Sequence, residues 1–283
     1  MGTGLQARRI VAAKPTSVTI PFGETTRAAK GATIVAALVA LYLIWGSAFL
    51  CVKIALTAFP PMLLNGIRLL VPGTMMYAAL RFRGEPNPTR SQWRGIVVIG
   101  GFLMIGGYTM LVVAQQWVDS GMAAVMIATS PLWTALLGGL VEEWPTRATW
   151  AGLAMGFTGV ALLQSQSTMR AHPLGAVLLI LSSVCWAIGT ITGRHVSLPS
   201  VMMSSATEMM FGGLVMLFCA AILKELPAIP SAAAWGSLFY LTFISSLVGF
   251  TLFMYLMLHT TPTLAVSYTF VTPVIGVALG HYG

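Results

Sequence analysis

Charge is what this sequence has least of: Asp, Glu, Lys and Arg together make up 8% of its 283 residues. Soluble domains carry about 25%, so a water-facing globule is excluded. Acidic groups are scarcer still, 7 against 15 basic ones. The three cysteines (Cys51, Cys185 and Cys219) lie in or at the ends of apolar blocks without metal-ligand spacing, and read as small core side chains. There is no glycine-rich phosphate loop with its lysine, no paired histidines with a glutamate for zinc, and no Gly-x-Ser-x-Gly elbow. No catalytic residue, metal ligand or cofactor follows, and an enzyme is not the expectation. His172, His195, His259 and His281 are scattered at helix ends and read as solvated. Residues 1–30 are polar and basic and lack an apolar stretch of signal-peptide type.

What the chain has in abundance is apolar material, 57% of its residues. It falls into nine blocks: Thr33–Cys51, Met62–Leu80, Gly95–Ala114, Met122–Val141, Thr149–Leu163, Leu174–Gly193, Met202–Leu223, Trp235–Leu258 and Thr263–Gly280. A helix needs about 20 residues to cross the hydrocarbon core. Unbroken apolar runs without alternation favour helices over a barrel. The expectation is an all-α polytopic membrane protein whose first partner is the lipid bilayer. The net charge of +8 does not indicate nucleic acid, because the basic residues are placed asymmetrically. Eleven of the fifteen fall in the N-terminal arm and in every second connection (Arg81, Arg83, Arg90, Arg94, Arg147, Arg194). That is the positive-inside pattern. It predicts a cytoplasmic N-terminus in a multi-pass cell membrane protein, of the bacterial inner membrane.

The chain also repeats itself. Trp93 recurs as Trp235, Gly107 as Gly249, Ser130-Pro131 as Thr272-Pro273 and Gly138 as Gly280, all at an offset of 142 residues. Trp45 with Trp186, Arg68 with Glu208 and Gly73 with Gly213 match at slightly shorter offsets. The division is a basic arm (1–32), a first repeat of five helices (33–164), a linker (165–173) and a second repeat (174–283). Five crossings are odd, so the second copy runs upside down relative to the first. The partner of the fifth helix should begin near position 291, beyond Gly283, which predicts nine transmembrane helices with the tenth lacking.

The segment Ile44-Trp45-Gly46-Ser47-Ala48-Phe49 with Lys53, then Phe59-Pro60-Pro61 and Arg68, resembles the first hairpin of EamA-type transporters of the drug/metabolite transporter superfamily. The stretch from Leu198 through Met202-Met203 to Glu208-Met209 resembles the matching hairpin of their second half. The resemblance implies two inverted five-helix repeats, a central cavity, and export or exchange of a small amphipathic metabolite or drug by alternating access. Two rival expectations stand beside it: a non-transporting remnant, and a membrane-embedded lipid-modifying enzyme, for which clustered acid, base or metal groups are missing.

Charges inside a membrane are costly and mark function by default. Arg68 and Glu208 stand at equivalent repeat positions, and Asn65 lies one turn before the arginine. Glu208 has Arg194 as a pairing candidate, or else binds a cationic substrate or a proton. Arg68 has the like charge Lys53 nearby, and Asp119 or a substrate carboxylate as counter-ion. Pro131 and Pro273 break matching helices and free the carbonyls of Ile127 and Thr269. Ser130, Thr272 and Tyr268 can re-satisfy them or meet a ligand. Trp45, Tyr108, Trp133 and Trp186 complete an aromatic substrate-binding set, with Tyr255 beside them. Gln115 and Gln116 sit at a helix end, where solvation is the competing reading. Gly152, Gly156 and Gly159 give the small-residue spacing of helix contacts, and in that position could serve a homodimer.

Overall fold

A computed structural model describes residues 31–141, 144–165, 172–260, 264 and 267–280 of the chain. Among them the protein is entirely helical, with nine helices in chain order. The first two are α1 (Gly31–Ala55) and α2 (Pro61–Phe82). Next comes α3 (Arg90–Ala114), whose middle stretch Gly101–Thr109 is π-helical. Then follow α4 (Ser120–Val141, interrupted after Ile127), α5 (Arg147–Ser165), α6 (Pro173–Gly193) and α7 (Val201–Ile222). The last two are α8 (Ala232–His259, π-helical over Tyr240–Val248) and α9 (Tyr268–Gly280). Seven of these are long and apolar enough to cross a membrane, and Tyr268–Leu279 is a shorter apolar helix. α5 is not among the seven, because Arg147 and its glycines and threonines dilute its hydropathy. Each of the nine apolar blocks overlaps one of these helices over its described residues. Residues 1–30, His281 and the acidic pair Glu142–Glu143 lie outside the described residues.

The bundle is apolar outside as well as inside. Val35, Val39 and Leu43 form one exposed stripe on α1, and Leu214, Phe218 and Ile222 another on α7. In water such stripes would drive association, whereas lipid solvates them. Trp93, Trp117, Trp144 and Trp235 are exposed near helix ends, where an interfacial belt would hold them.

α2 and α7 form the most extensive helix–helix contact of the molecule. Gly73 and Gly213 make it possible. A Cβ on Gly73 would lie 2.8 Å from the backbone nitrogen of Met210, and one on Gly213 would strike the backbone of Leu70. Backbone cannot yield as a side chain can, so the two axes approach only where both residues lack a side chain. Around this pair, α1 packs on α8 and α9, while α6 packs on α3 and α4. Of the glycines in α5, Gly152 and Gly159 face open space and Gly156 faces the ring of Phe270.

The connections sort into two ends. Ala228 N donates to Ala58 O at 2.8 Å, Lys53 reaches the segment after α3, and Gly175 lies against Val118, which gathers one end. The Gln92 side chain donates to Leu198 O at 3.2 Å at the other. α2 and α7 finish with the same turn. Gly84 and Lys224, 140 residues apart, both take positive φ (86° and 52°), and Glu85 and Glu225 follow them.

Candidate functional site

A cavity of about 110 Å³ lies between the two sets of helices. α1 contributes Trp45, Phe49 and Val52, α2 contributes Arg68, and α3 contributes Tyr108 and Gln115. The far wall comes from Ser130 of α4, Ser182 and Trp186 of α6, Ser245 of α8, and Tyr268 and Thr272 of α9. Eight candidate residues named from the sequence therefore meet in one place: Trp45, Arg68, Tyr108, Gln115, Ser130, Trp186, Tyr268 and Thr272.

Among the described residues Arg68 is the only charged one in that lining. Its side chain is 3% exposed. Its Nε donates to Ser246 Oγ at 3.3 Å and its Nη2 to Ser245 Oγ at 3.4 Å, both longer than the usual 2.7–3.2 Å range. The guanidinium carbon stands 5.1 Å from the centroid of the Tyr108 ring, a cation–π distance. Among the described residues no carboxylate pairs with it, and Asp119 is exposed at the start of α4. A guanidinium has five donors and matches a carboxylate in bidentate geometry. Two long bonds to hydroxyls leave most of that capacity unused.

Aromatic rings supply the rest of the wall. Trp45 packs 4.5 Å from Tyr268, 5.5 Å from Phe250 and 5.4 Å from Phe253, and its indole N–H donates to Ser245 O at 3.1 Å. Tyr108 stands 5.4 Å from Trp186. Both tryptophans line the cavity, and with the polar edge of Trp45 tied down, ring faces are left for an apolar group.

The break in α4 has a local cause. Pro131 has no N–H to give to Ile127 O, and the helix is interrupted at Ala128–Thr129. The hydroxyl of Ser130 donates to Ile127 O at 2.6 Å, and that of Thr129 to Met126 O at 2.7 Å. Pro273 lies inside a continuous stretch of α9, so the two prolines do not produce the same distortion. Neither lines the cavity.

Other candidates stand elsewhere. Glu208 is 6% exposed, faces Gly100 of α3 across a helix contact and does not line the cavity. Asn65 is fully buried and donates to Thr109 Oγ1 at 3.2 Å. Trp133 and Tyr255 lie outside the lining; Tyr255 stacks on His259 with centroids 4.2 Å apart. Gln116 is exposed, as a helix-end residue in water would be. Lys53 does not oppose Arg68: its ammonium donates to Gln115 O at 2.9 Å and Val118 O at 3.1 Å, closing the end of α3.

The sequence reading missed Ser182, Ser245 and Ser246, and left Gln115 between a polar candidate and a solvated helix-end residue. The available signal was polarity inside an apolar block, the rule applied to Arg68; the serine pair Ser245-Ser246 lies in the middle of the eighth block.

Three comparisons bear on this arrangement. Residues 32–165 and 173–282 match the model of the EamA-like transporter family. Over 246 residues the chain is 36% identical to an uncharacterized inner membrane transporter of Escherichia coli K12, YedA, covering 86% of this chain and 80% of that protein. It is 24% identical over 249 residues to a Salmonella typhimurium protein described as a "probable amino-acid metabolite efflux pump", with 83% and 81% covered. A solved crystal structure shares 20% identity with a TM-score of 0.66, covering 88% of this chain and 87% of that one, which speaks to the fold alone.

Proposed function

The chain belongs to the EamA-like transporter family, and from that premise we propose that its cavity binds a small amphipathic metabolite by a carboxylate, held on Arg68, with the apolar part of the cargo between Trp45 and Trp186. The bundle is a multi-pass membrane protein. In the proposed cycle its two halves, related as inverted repeats with the N-terminus cytoplasmic, expose this site alternately to the two sides of a bacterial inner membrane and export or exchange the cargo. The observation that carries the reading is the buried guanidinium in the cavity wall without a carboxylate partner. A cation left so in a membrane is expensive, and a bound anion removes the cost. The name of the Salmonella relative agrees with a carboxylate-bearing cargo.

The experiment is counterflow in proteoliposomes across amino acids, nucleosides and cationic drugs, with the wild type, Arg68→Ala and Arg68→Lys. Charge-assisted hydrogen bonds contribute about 1.5–3 kcal/mol. The alanine variant therefore loses at least about tenfold in apparent affinity for carboxylate cargo while still inserting as a monodisperse protein, and the lysine variant falls between. Unchanged carboxylate uptake by Arg68→Ala, or a wild type that moves only cationic drugs, rejects the proposal.

A further inference from the structure

Gln115 carries a second recognition element. It is fully buried at the end of α3 and lines the same cavity as Arg68. Its Nε2 donates to Phe49 O at 2.9 Å. A main-chain carbonyl can only accept, so this bond fixes which end of the amide is nitrogen and which is oxygen. The oxygen, Oε1, is then a buried acceptor, and among the described residues it has no hydrogen-bond partner.

The amide is also held in place. Lys53 donates to the main-chain carbonyls of Gln115 and Val118, so α1 pins the residue through its backbone while Phe49 pins its side chain. An acceptor left unpaired in a buried site is destabilising. Neighbouring hydroxyls do not relieve it: Ser130 is committed to Ile127 O, and Ser182 donates to Gly107 O at 2.7 Å. The cavity is thus lined by one strong donor group, Arg68, and by a residue that carries one fixed, unfilled acceptor.

We infer that Gln115 determines specificity by accepting a hydrogen bond from an N–H group of the cargo, so that the site selects a zwitterion, carboxylate on Arg68 and ammonium on Gln115, over a plain carboxylate of the same shape. The inference rests on the proposed role of Arg68. A ligand without the N–H would leave Oε1 buried and unpaired, and a site built around a hydrogen bond discriminates strongly against an analogue that lacks it.

The test is equilibrium binding by titration calorimetry at neutral pH, with the whole chain in lipid nanodiscs. The probes are two matched pairs, leucine with isocaproate and phenylalanine with phenylpropionate. In the wild type each amino acid binds at least about tenfold more tightly than its deaminated partner, the share of one hydrogen bond to a charged group. Gln115→Met, which keeps the size and removes the acceptor, brings each pair to within about twofold. Gln115→Glu keeps an acceptor and retains the preference, which separates recognition from damage should the methionine variant misfold. Equal binding of the two members by the wild type, or a tenfold preference surviving in Gln115→Met, overturns the inference and leaves Arg68 in place. Failure of all four probes to bind rejects the carboxylate reading and this one with it.

Discussion

Glu225 caps a helix that begins 164 residues earlier: its Oε2 accepts a hydrogen bond from the backbone nitrogen of Leu63 at 2.8 Å. α2 opens with Pro60-Pro61-Met62, none of which has a side chain able to receive an orphan N–H of the first turn. The carboxylate at the end of α7 performs that role from outside. α7 needs no such help, because Ser200 receives the Met203 N–H at 3.2 Å. Glu85, which occupies the place of Glu225 at the opposite end of the pair, therefore has a buried Oε2 without a partner. Glu225→Ala is expected to cost about 1 kcal/mol, the typical loss of a cap, and Glu85→Ala far less. Thermal unfolding of the two purified variants in detergent checks the contrast, and equal losses contradict it.

Lys224 holds φ at 52°, a conformation that costs an L-residue roughly 1–2 kcal/mol. The matching turn uses Gly84 instead. Lys224→Gly is expected to raise the unfolding temperature, with transport unchanged. A fall in melting temperature would show that the lysine side chain contributes more than its backbone strain takes away.

The α2–α7 contact depends on missing side chains. Gly73→Val places carbon against the backbone of Met210 and Ala206 and forces the helices apart; loss of the monodisperse peak in size-exclusion chromatography is the expected result. Gly152→Val meets open space among the described residues and leaves that peak intact.

Lys53 ties α1 to the end of α3 through two carbonyls. Lys53→Met removes both bonds and the favourable charge at a helix C-terminus. It should weaken cargo binding several-fold through a loosened Gln115, while maximal transport rate changes little. A fall in maximal rate with unchanged affinity would place Lys53 in the transport step instead.

How much of this could be read from the residues divides along a physical line. Helix positions were legible because apolar block length alone nearly determines them. The break at Pro131 was legible because a missing N–H is a property of one residue. Arg68, Trp45 and Trp186 were legible as rare residues inside apolar runs. Partnerships were not. Lys53 meets Gln115 and Val118 across the 62 and 65 residues that separate them, and Arg68 meets Ser246 across 178. No local pattern encodes such pairs. The π-helical stretches of α3 and α8 also escaped, since packing around Gly106 and Gly107, against Cys185 and Trp186, is a tertiary matter. Glu208 and Arg68 occupy equivalent places in the repeat, yet only the arginine reaches the cavity.

In the proposed cycle, a guanidinium in a wall whose other described lining residues are uncharged would make transport sensitive to voltage. Moving one elementary charge across the whole membrane field involves about 2.3 kcal/mol per 100 mV, and the vacant carrier would bear a share of that as its chamber changes sides. A plain carboxylate would cancel the charge, whereas a zwitterion, itself neutral, would leave it in place, so membrane potential would act on the vacant and the zwitterion-loaded forms alike.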